Sequence, residues 1–206
     1  MKPQVKICGI TNLDDARFCA HAGADALGFI FYKSSPRYID PSAAAEIIEQ
    51  LPGYITPVGV FVNEQRSVIE KTIAATGIRI AQLSGSERPK DCQGYPVKVW
   101  KAFRIRAYEA IEETRGYPIA AAMLDGASDE VFGGSGQLPD FAIACEMKEY
   151  HPLILAGGLN PENVVKAIRT VLPFGIDLNS GIESAPGKKD HDMIRLLFER
   201  LDRLGE

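Results

Sequence analysis

The chain has 206 residues, 46% of them from the AVILMFWYC set and 24% charged, with 23 Lys plus Arg against 27 Asp plus Glu for a net charge of -4. Such values fit a single packed core and exclude disordered, collagen-like and coiled-coil chains. The acidic balance excludes a general nucleic-acid or anionic-membrane binder, so an anionic ligand must be held by local donors. In chain order, an apolar run from Val5 to Cys8 is followed by helical spacing from Leu13 to Ala22. Runs then begin at Ala26 and Ile55, followed by helical spacing from Pro41 to Gln50 and from Arg66 to Ala75. Ile78 to Leu83 leads into a connection from Gly85 to Pro96 that carries Pro89 and Gly94 and has the weakest helical signal of the series. Val97 to Ala102 and Ile119 to Leu124 are the next runs, and helical spacing resumes from Asp140 to Tyr150. Leu153 to Ala156, a helix from Pro161 to Val171, Phe174 to Leu178 and a helix from His191 to Leu204 complete the series. Asp40-Pro41 and Asn160-Pro161 each set a capping side chain before a proline at the first helical position.

The starts of the runs, from 5 to 174, define eight strands at a repeat of about 24 residues. Strands separated by helices imply a parallel sheet, either a closed (β/α)8 barrel or an open doubly wound sheet. The barrel is favoured, as a single α/β domain over residues 1–206. No GxGxxG follows the first strand, and glycine-rich loops follow strands six to eight, where barrels often bind phosphate. No apolar stretch approaches a membrane span, and the amino terminus lacks a signal-like apolar region. Cys8, Cys19, Cys92 and Cys145 are spaced too irregularly for a CxxC motif, and the three histidines do not cluster. A reducing, cytoplasmic setting without a metal is expected.

Alternation along a barrel strand turns Val5 and Ile7 toward the helices and Lys6 and Cys8 inward. Cys8 then ends its strand where barrel enzymes place catalytic groups, with an ammonium nearby to favour a thiolate; an isolated cysteine is also commonly a small core hydrophobe. The sixth run ends in Asp125, where an apolar surround would raise its pKa toward general-acid use, and where a loop cap is an equal reading. Ala156-Gly157-Gly158-Leu159-Asn160 and Asn179-Ser180-Gly181-Ile182-Glu183 let backbone N–H groups approach an anion. Ser180-x-x-Glu183 also reads as a capping box for a short extra helix. Gly133-Gly134-Ser135-Gly136 is either a linker or a loop that adds amides over a ligand. Arg37, after a proline turn, suits a carboxylate. Gln82 and Ser84 point inward on strand four, and Asp177 and Asn179 on strand eight, as partners for hydroxyls. Lys188, Lys189 and Asp190 read as a solvated start to the last helix.

In order, Lys6-Ile-Cys-Gly-Ile-Thr11, Ser35-Pro-Arg-Tyr-Ile39, Gln82-Leu83, Leu124-Asp125, Gly133-Gly-Ser-Gly136, Ala156-Gly-Gly-Leu-Asn160, Asp177 with Asn179-Ser-Gly-Ile-Glu183, and Pro186-Gly-Lys-Lys-Asp190 closely resemble the phosphoribosylanthranilate isomerase family of tryptophan biosynthesis. The resemblance spans essentially the whole chain. It implies a (β/α)8 barrel and a cofactor-free Amadori rearrangement, with Asp125 as general acid and Cys8 as general base. It further implies that Arg37 holds the anthranilate carboxylate, that Gln82 and Asp177 meet the sugar hydroxyls, and that Lys6 belongs with the substrate contacts. Gly134, Gly157, Gly158, Ser180 and Gly181 would hold the phosphate. The chain departs from the family pattern at Ser84, where a histidine is usual, at Ser135, and at Pro139 and Phe141. The expected partner is the small-molecule substrate, with no nucleic acid or membrane, in a monomer or homodimer. Two other readings stand beside this one: a non-catalytic phosphate-sugar binding barrel, and a related aminoaldose isomerase of histidine biosynthesis, which would use a pair of aspartates at strands one and six.

Overall fold

The computed structural model describes residues 2–105, 107–126 and 138–205. Eight parallel strands close in sequence order: β1 (Gln4–Ile7), β2 (Ala26–Ile30), β3 (Thr56–Phe61), β4 (Ile80–Leu83), β5 (Lys98–Phe103), β6 (Ala121–Leu124), β7 (Leu153–Leu155) and β8 (Gly175–Leu178). β1 pairs with β8 in register, Lys6 opposite Asp177, so no strand of the barrel has a free edge. The α-helices are α1 (Leu13–Ala22), α2 (Pro41–Glu49), α3 (Arg66–Thr76), α4 (Phe141–Met147), α5 (Val164–Val171) and α6 (His191–Asp202).

The alternation expected of β1 is present. Val5 and Ile7 are fully buried in the larger core between the strands and the outer helices. Cys8 packs instead with Ile30 and Val60 inside the barrel. A layer below, Ala26, Val58, Ile80, Trp100, Ala121, Met123 and Ile154 fill the interior, so the barrel is plugged and a ligand can enter only at its carboxyl end.

Among the described residues, two connections lack an α-helix. Between β4 and β5, where the helical signal is weakest, there is only one 3-10 turn, Pro89–Cys92, because Pro89 and Gly94 break up the segment. Lys101 compensates: its buried ammonium donates to Gly85 O at 2.8 Å and lies 3.1 Å from Glu87 Oε2, tying the loop after Ser84 to β5. Burial lowers the pKa of Lys101, and Glu87 works against that shift. Between β5 and β6 the chain forms a 3-10 helix, Tyr108–Thr114.

Helix-start chemistry is half as expected. Asp40 caps α2, accepting from the Ser42 N–H with Pro41 in the first turn. Asn160-Pro161 does not start α5, which begins three residues later. Asn160 Oδ1 accepts instead from the N–H groups of Glu162 and Asn163, forming a turn ahead of the helix. Among the described residues no helix is long and apolar enough to cross a membrane.

Candidate active site

The carboxyl ends of the strands surround a cavity of about 340 Å³, within the range of small-molecule sites. Its lining includes Cys8, Arg37, Gln82, Asp125, Gly157, Gly158, Asp177, Ser180 and Gly181, nine residues expected from the sequence. Gly134 lies outside the described residues.

Cys8 is buried at the end of β1. A Cβ on Gly28 of β2 would stand 2.8 Å from Cys8 Sγ and 3.1 Å from Lys6 Cε, so only glycine leaves room there for both side chains. Lys6, expected among the substrate contacts, does not line the cavity. Its ammonium is buried 2.8 Å from Asp177 Oδ1, one inward position below Cys8. Burial alone would lower the Lys6 pKa, but Asp177 and then Cys8 outweigh it and raise it, so the ammonium stays charged. The Cys8 thiol is pushed up by burial, with Lys6 pulling against this. The neighbouring ammonium therefore moderates the thiol pKa without bringing it below the ordinary value.

Asp125 follows β6, its N–H donating to Phe103 O at 3.1 Å. Burial raises its pKa to about 6, and the positive charge of Arg104 opposes this most. Arg104 also lines the cavity, a site residue that the sequence reading passed over. The available signal was its position just past β5, at the rim where a barrel presents functional groups.

Gln82 Nε2 donates to Ser84 Oγ at 3.0 Å, as their shared inward parity suggests. Gln82 Oε1 is buried and, among the described residues, has no hydrogen-bond partner. A buried acceptor of this kind is suited to a donor from a ligand.

The loops after β7 and β8 meet at Gly181, where a Cβ would lie 2.0 Å from Leu159 O. Gly157 and Gly158 have φ of +84° and +58°. Asn163 fixes this loop, its Nδ2 donating to Gly158 O at 2.8 Å. After β8 a 3-10 turn forms at Ser180–Ile182, the short extra helix expected there, but the capping box does not. Glu183 turns its carboxylate to Arg37, accepting from Nε and Nη2 at 2.7 to 3.0 Å. Nor is Lys189 solvated: its side chain is fully buried, 2.9 Å from Glu183 Oε1. Among the described residues no group of His, Cys, Asp and Glu side chains is placed to hold a metal ion.

A family model described as N-(5'-phosphoribosyl)anthranilate isomerase matches residues 5–200. The chain is 47% identical over 192 residues to the N-(5'-phosphoribosyl)anthranilate isomerase of Pelobacter propionicus, covering 93% of this chain and 92% of that one. The chain belongs to the phosphoribosylanthranilate isomerase family. Among solved members, monomers generated from the dimeric Thermotoga maritima isomerase superpose with a TM-score of 0.87 at 38% identity, covering 98% of this chain and 99% of that one. A second solved isomerase, in complex with reduced 1-(o-carboxyphenylamino)-1-deoxyribulose 5-phosphate, has a TM-score of 0.86 at 38% identity and the same coverage. Like these family members, the chain is an isomerase of tryptophan biosynthesis with a closed (β/α)8 barrel.

Proposed function

We propose that Cys8 and Asp125 are the base and the acid with which the chain converts N-(5'-phosphoribosyl)anthranilate to 1-(2-carboxyphenylamino)-1-deoxyribulose 5-phosphate. The observation that carries this assignment is the convergence on one cavity of a buried thiol, a carboxyl held near pH 6, an arginine and two glycine-bearing loops. Asp125 gives its proton to the ribose ring oxygen as the C1'–O bond breaks, leaving an iminium at C1'. The Cys8 thiolate removes the C2' proton, and that bond's electron pair forms C1'=C2' and neutralises the nitrogen. The enolamine then takes a proton at C1' from the Cys8 thiol and gives the C2' hydroxyl proton to the Asp125 carboxylate, which yields the ketone and restores both groups. The protons and electrons balance within substrate, acid and base, so the step calls for no cofactor.

Arg37 is assigned to the ring carboxylate, and Gln82 Oε1 and Asp177 to sugar hydroxyls. The amides of Gly157, Gly158, Ser180 and Gly181, with Gly134 assigned from the sequence alone, are assigned to the phosphate. Lys6 acts from below, through Cys8 and Asp177. The setting is cytoplasmic, in one catalytic domain that works as a monomer or homodimer.

The test is to mix the chain with N-(5'-phosphoribosyl)anthranilate and follow the loss of anthranilate fluorescence. Catalysed loss that is strongly reduced in Cys8→Ala and in Asp125→Asn supports the assignment. Binding without turnover would leave a phosphate-sugar binding barrel, and turnover of the histidine-pathway aminoaldose alone would move the chain to the other isomerase.

A further inference from the structure

Two charged residues outside the cavity lining stand in line behind Arg37, which is part of it: Glu183 bonds to Arg37, and Lys189 bonds to Glu183. Glu183 accepts from Arg37 Nε at 2.9 Å and from Nη2 at 2.7 Å, both through Oε2. This pairing uses one edge of the guanidinium and leaves Nη1 out of it. Lys189 Nζ donates to the other carboxylate oxygen, Glu183 Oε1, at 2.9 Å, and to Asn179 Oδ1 at 3.2 Å. The Gly187 N–H reaches Oε1 at 3.3 Å. The side chains of Lys189 and Glu183 are 0% and 4% exposed, so water does little to screen them.

The arrangement counts two cations against one anion. An arginine paired with a glutamate alone is a compensated pair, and a carboxylate brought to it meets little net field. With Lys189 on the far side of Glu183 the cluster keeps one positive charge, and Arg37 is its member on the cavity. Two further carboxylates lie near Lys189: Asp15 accepts from the Lys189 main-chain N–H at 2.9 Å and not from its ammonium, and is also met by His191 Nε2 at 2.8 Å and Asn12 Nδ2 at 2.8 Å, while Asp177 is taken up by Lys6 at 2.8 Å. Burial pushes the Glu183 carboxyl up, but its hydrogen bonds with Arg37 and the charge of Lys189 outweigh this and hold it below the ordinary range. The glutamate is thus anionic at neutral pH.

We infer that Glu183 and Lys189 are positioning residues for carboxylate recognition: Glu183 anchors one edge of Arg37, and Lys189 cancels the charge of Glu183 so that the free edge of the guanidinium stays cationic toward the ligand. This rests on the assignment of Arg37 to the ring carboxylate. Neither residue touches the substrate; both act through Arg37.

The test compares KM for N-(5'-phosphoribosyl)anthranilate with KM for the aniline analogue that lacks the ring carboxylate. Lys189→Met removes the cation and leaves Arg37 compensated, so KM for the anthranilate substrate should rise about tenfold while kcat and the aniline KM stay within about threefold. In Glu183→Gln combined with Lys189→Met, the anion and the cation leave together, and the amide oxygen can still accept from Arg37. The double variant should return to within about threefold of the wild-type preference for the carboxylate. A folded double variant as impaired as Lys189→Met, or more so, would overturn the proposal, as would equal losses with both substrates. If Lys189→Met does not fold, the double variant decides alone: retained preference supports the proposal, and lost preference or a second failure to fold assigns the cluster to stability and overturns it. Arg37→Ala is measured alongside. Equal loss with both substrates in that variant would refute the assignment of Arg37 itself, whereas selective loss there without selective loss at Lys189 would refute only the role given to Lys189.

Discussion

Lys6 on β1 and Asp177 on β8 are direct cross-strand partners, and their side chains form a 2.8 Å ion pair across the seam that closes the barrel. Both are buried, at 2% and 9% exposure, so neither charge has water to fall back on. Asp177→Ala should therefore leave a buried ammonium unpaired and cost about 3 to 5 kcal/mol of stability. Urea unfolding at neutral pH measures it. A loss under about 1 kcal/mol would show that Lys6 finds water or another partner when Asp177 is gone.

The order of the two active-site titrations sets a pH profile. Asp125 is held near pH 6, while burial pushes Cys8 above the ordinary thiol value of 9.0, so the base titrates above the acid. The competent pair, a thiolate with a carboxylic acid, is then a minor form at every pH, and its share is level between the two values. kcat/KM should accordingly be bell-shaped, with a flat top that begins near pH 6 and extends past the ordinary thiol range. Residual activity of Asp125→Asn should have no plateau beginning near pH 6 and should climb until the thiol ionises. A wild-type profile already falling between pH 6 and 8 would contradict these assignments.

The same aspartate makes a stability prediction of definite sign. Its pKa is about 6 in the folded chain against an ordinary 3.8, so the folded state holds the proton more tightly. Below pH 3.8 the carboxyl is neutral in both states and costs nothing. The cost grows between 3.8 and 6 and is complete above 6, where it amounts to about 3 kcal/mol. Asp125→Asn should thus stabilise the chain by up to about 3 kcal/mol at pH 7 and make no difference near pH 3. Chemical unfolding of both proteins at the two pH values checks this, and equal effects at both would show that the change acts through packing instead.

Cys8 and Asp125 could be found in the sequence because strand parity and the carboxyl end of a strand are local properties, readable from a few residues. Gln82 and Ser84 were readable for the same reason. Glu183 was not. Ser180-x-x-Glu183 satisfies a capping-box pattern, yet the carboxylate is taken by Arg37, 146 residues earlier in the chain. Local pattern cannot rank a cap against a buried ion pair whose other half comes from after β2. Lys188-Lys189 reads as a solvated charge run; the hairpin of β9 (Glu183–Ala185) and β10 (Lys188–Lys189) instead folds back and buries Lys189 while leaving Lys188 exposed. Asn160-Pro161 fits a helix start, but the Asn160 side chain closes a turn that delays the helix.

The phosphate assignment depends on backbone conformation. Gly158 has φ of +58°, which a β-branched residue adopts only under strain. Gly158→Val should raise KM for the substrate and the inhibition constant of inorganic phosphate together, each about tenfold or more, with kcat little changed. Steady-state kinetics with phosphate as competitor measures both. Unchanged phosphate inhibition in a folded variant would place the dianion elsewhere.

The assignment of Cys8 and Asp125 is tested most directly by turnover of N-(5'-phosphoribosyl)anthranilate in Cys8→Ala and Asp125→Asn, with binding of the reduced product analogue measured on the same preparations. kcat should fall by roughly 10² to 10⁴ in each variant, while the analogue binds within about threefold of its wild-type affinity. Near-full turnover in either variant, or a loss of analogue binding that matches the loss of rate, would contradict it.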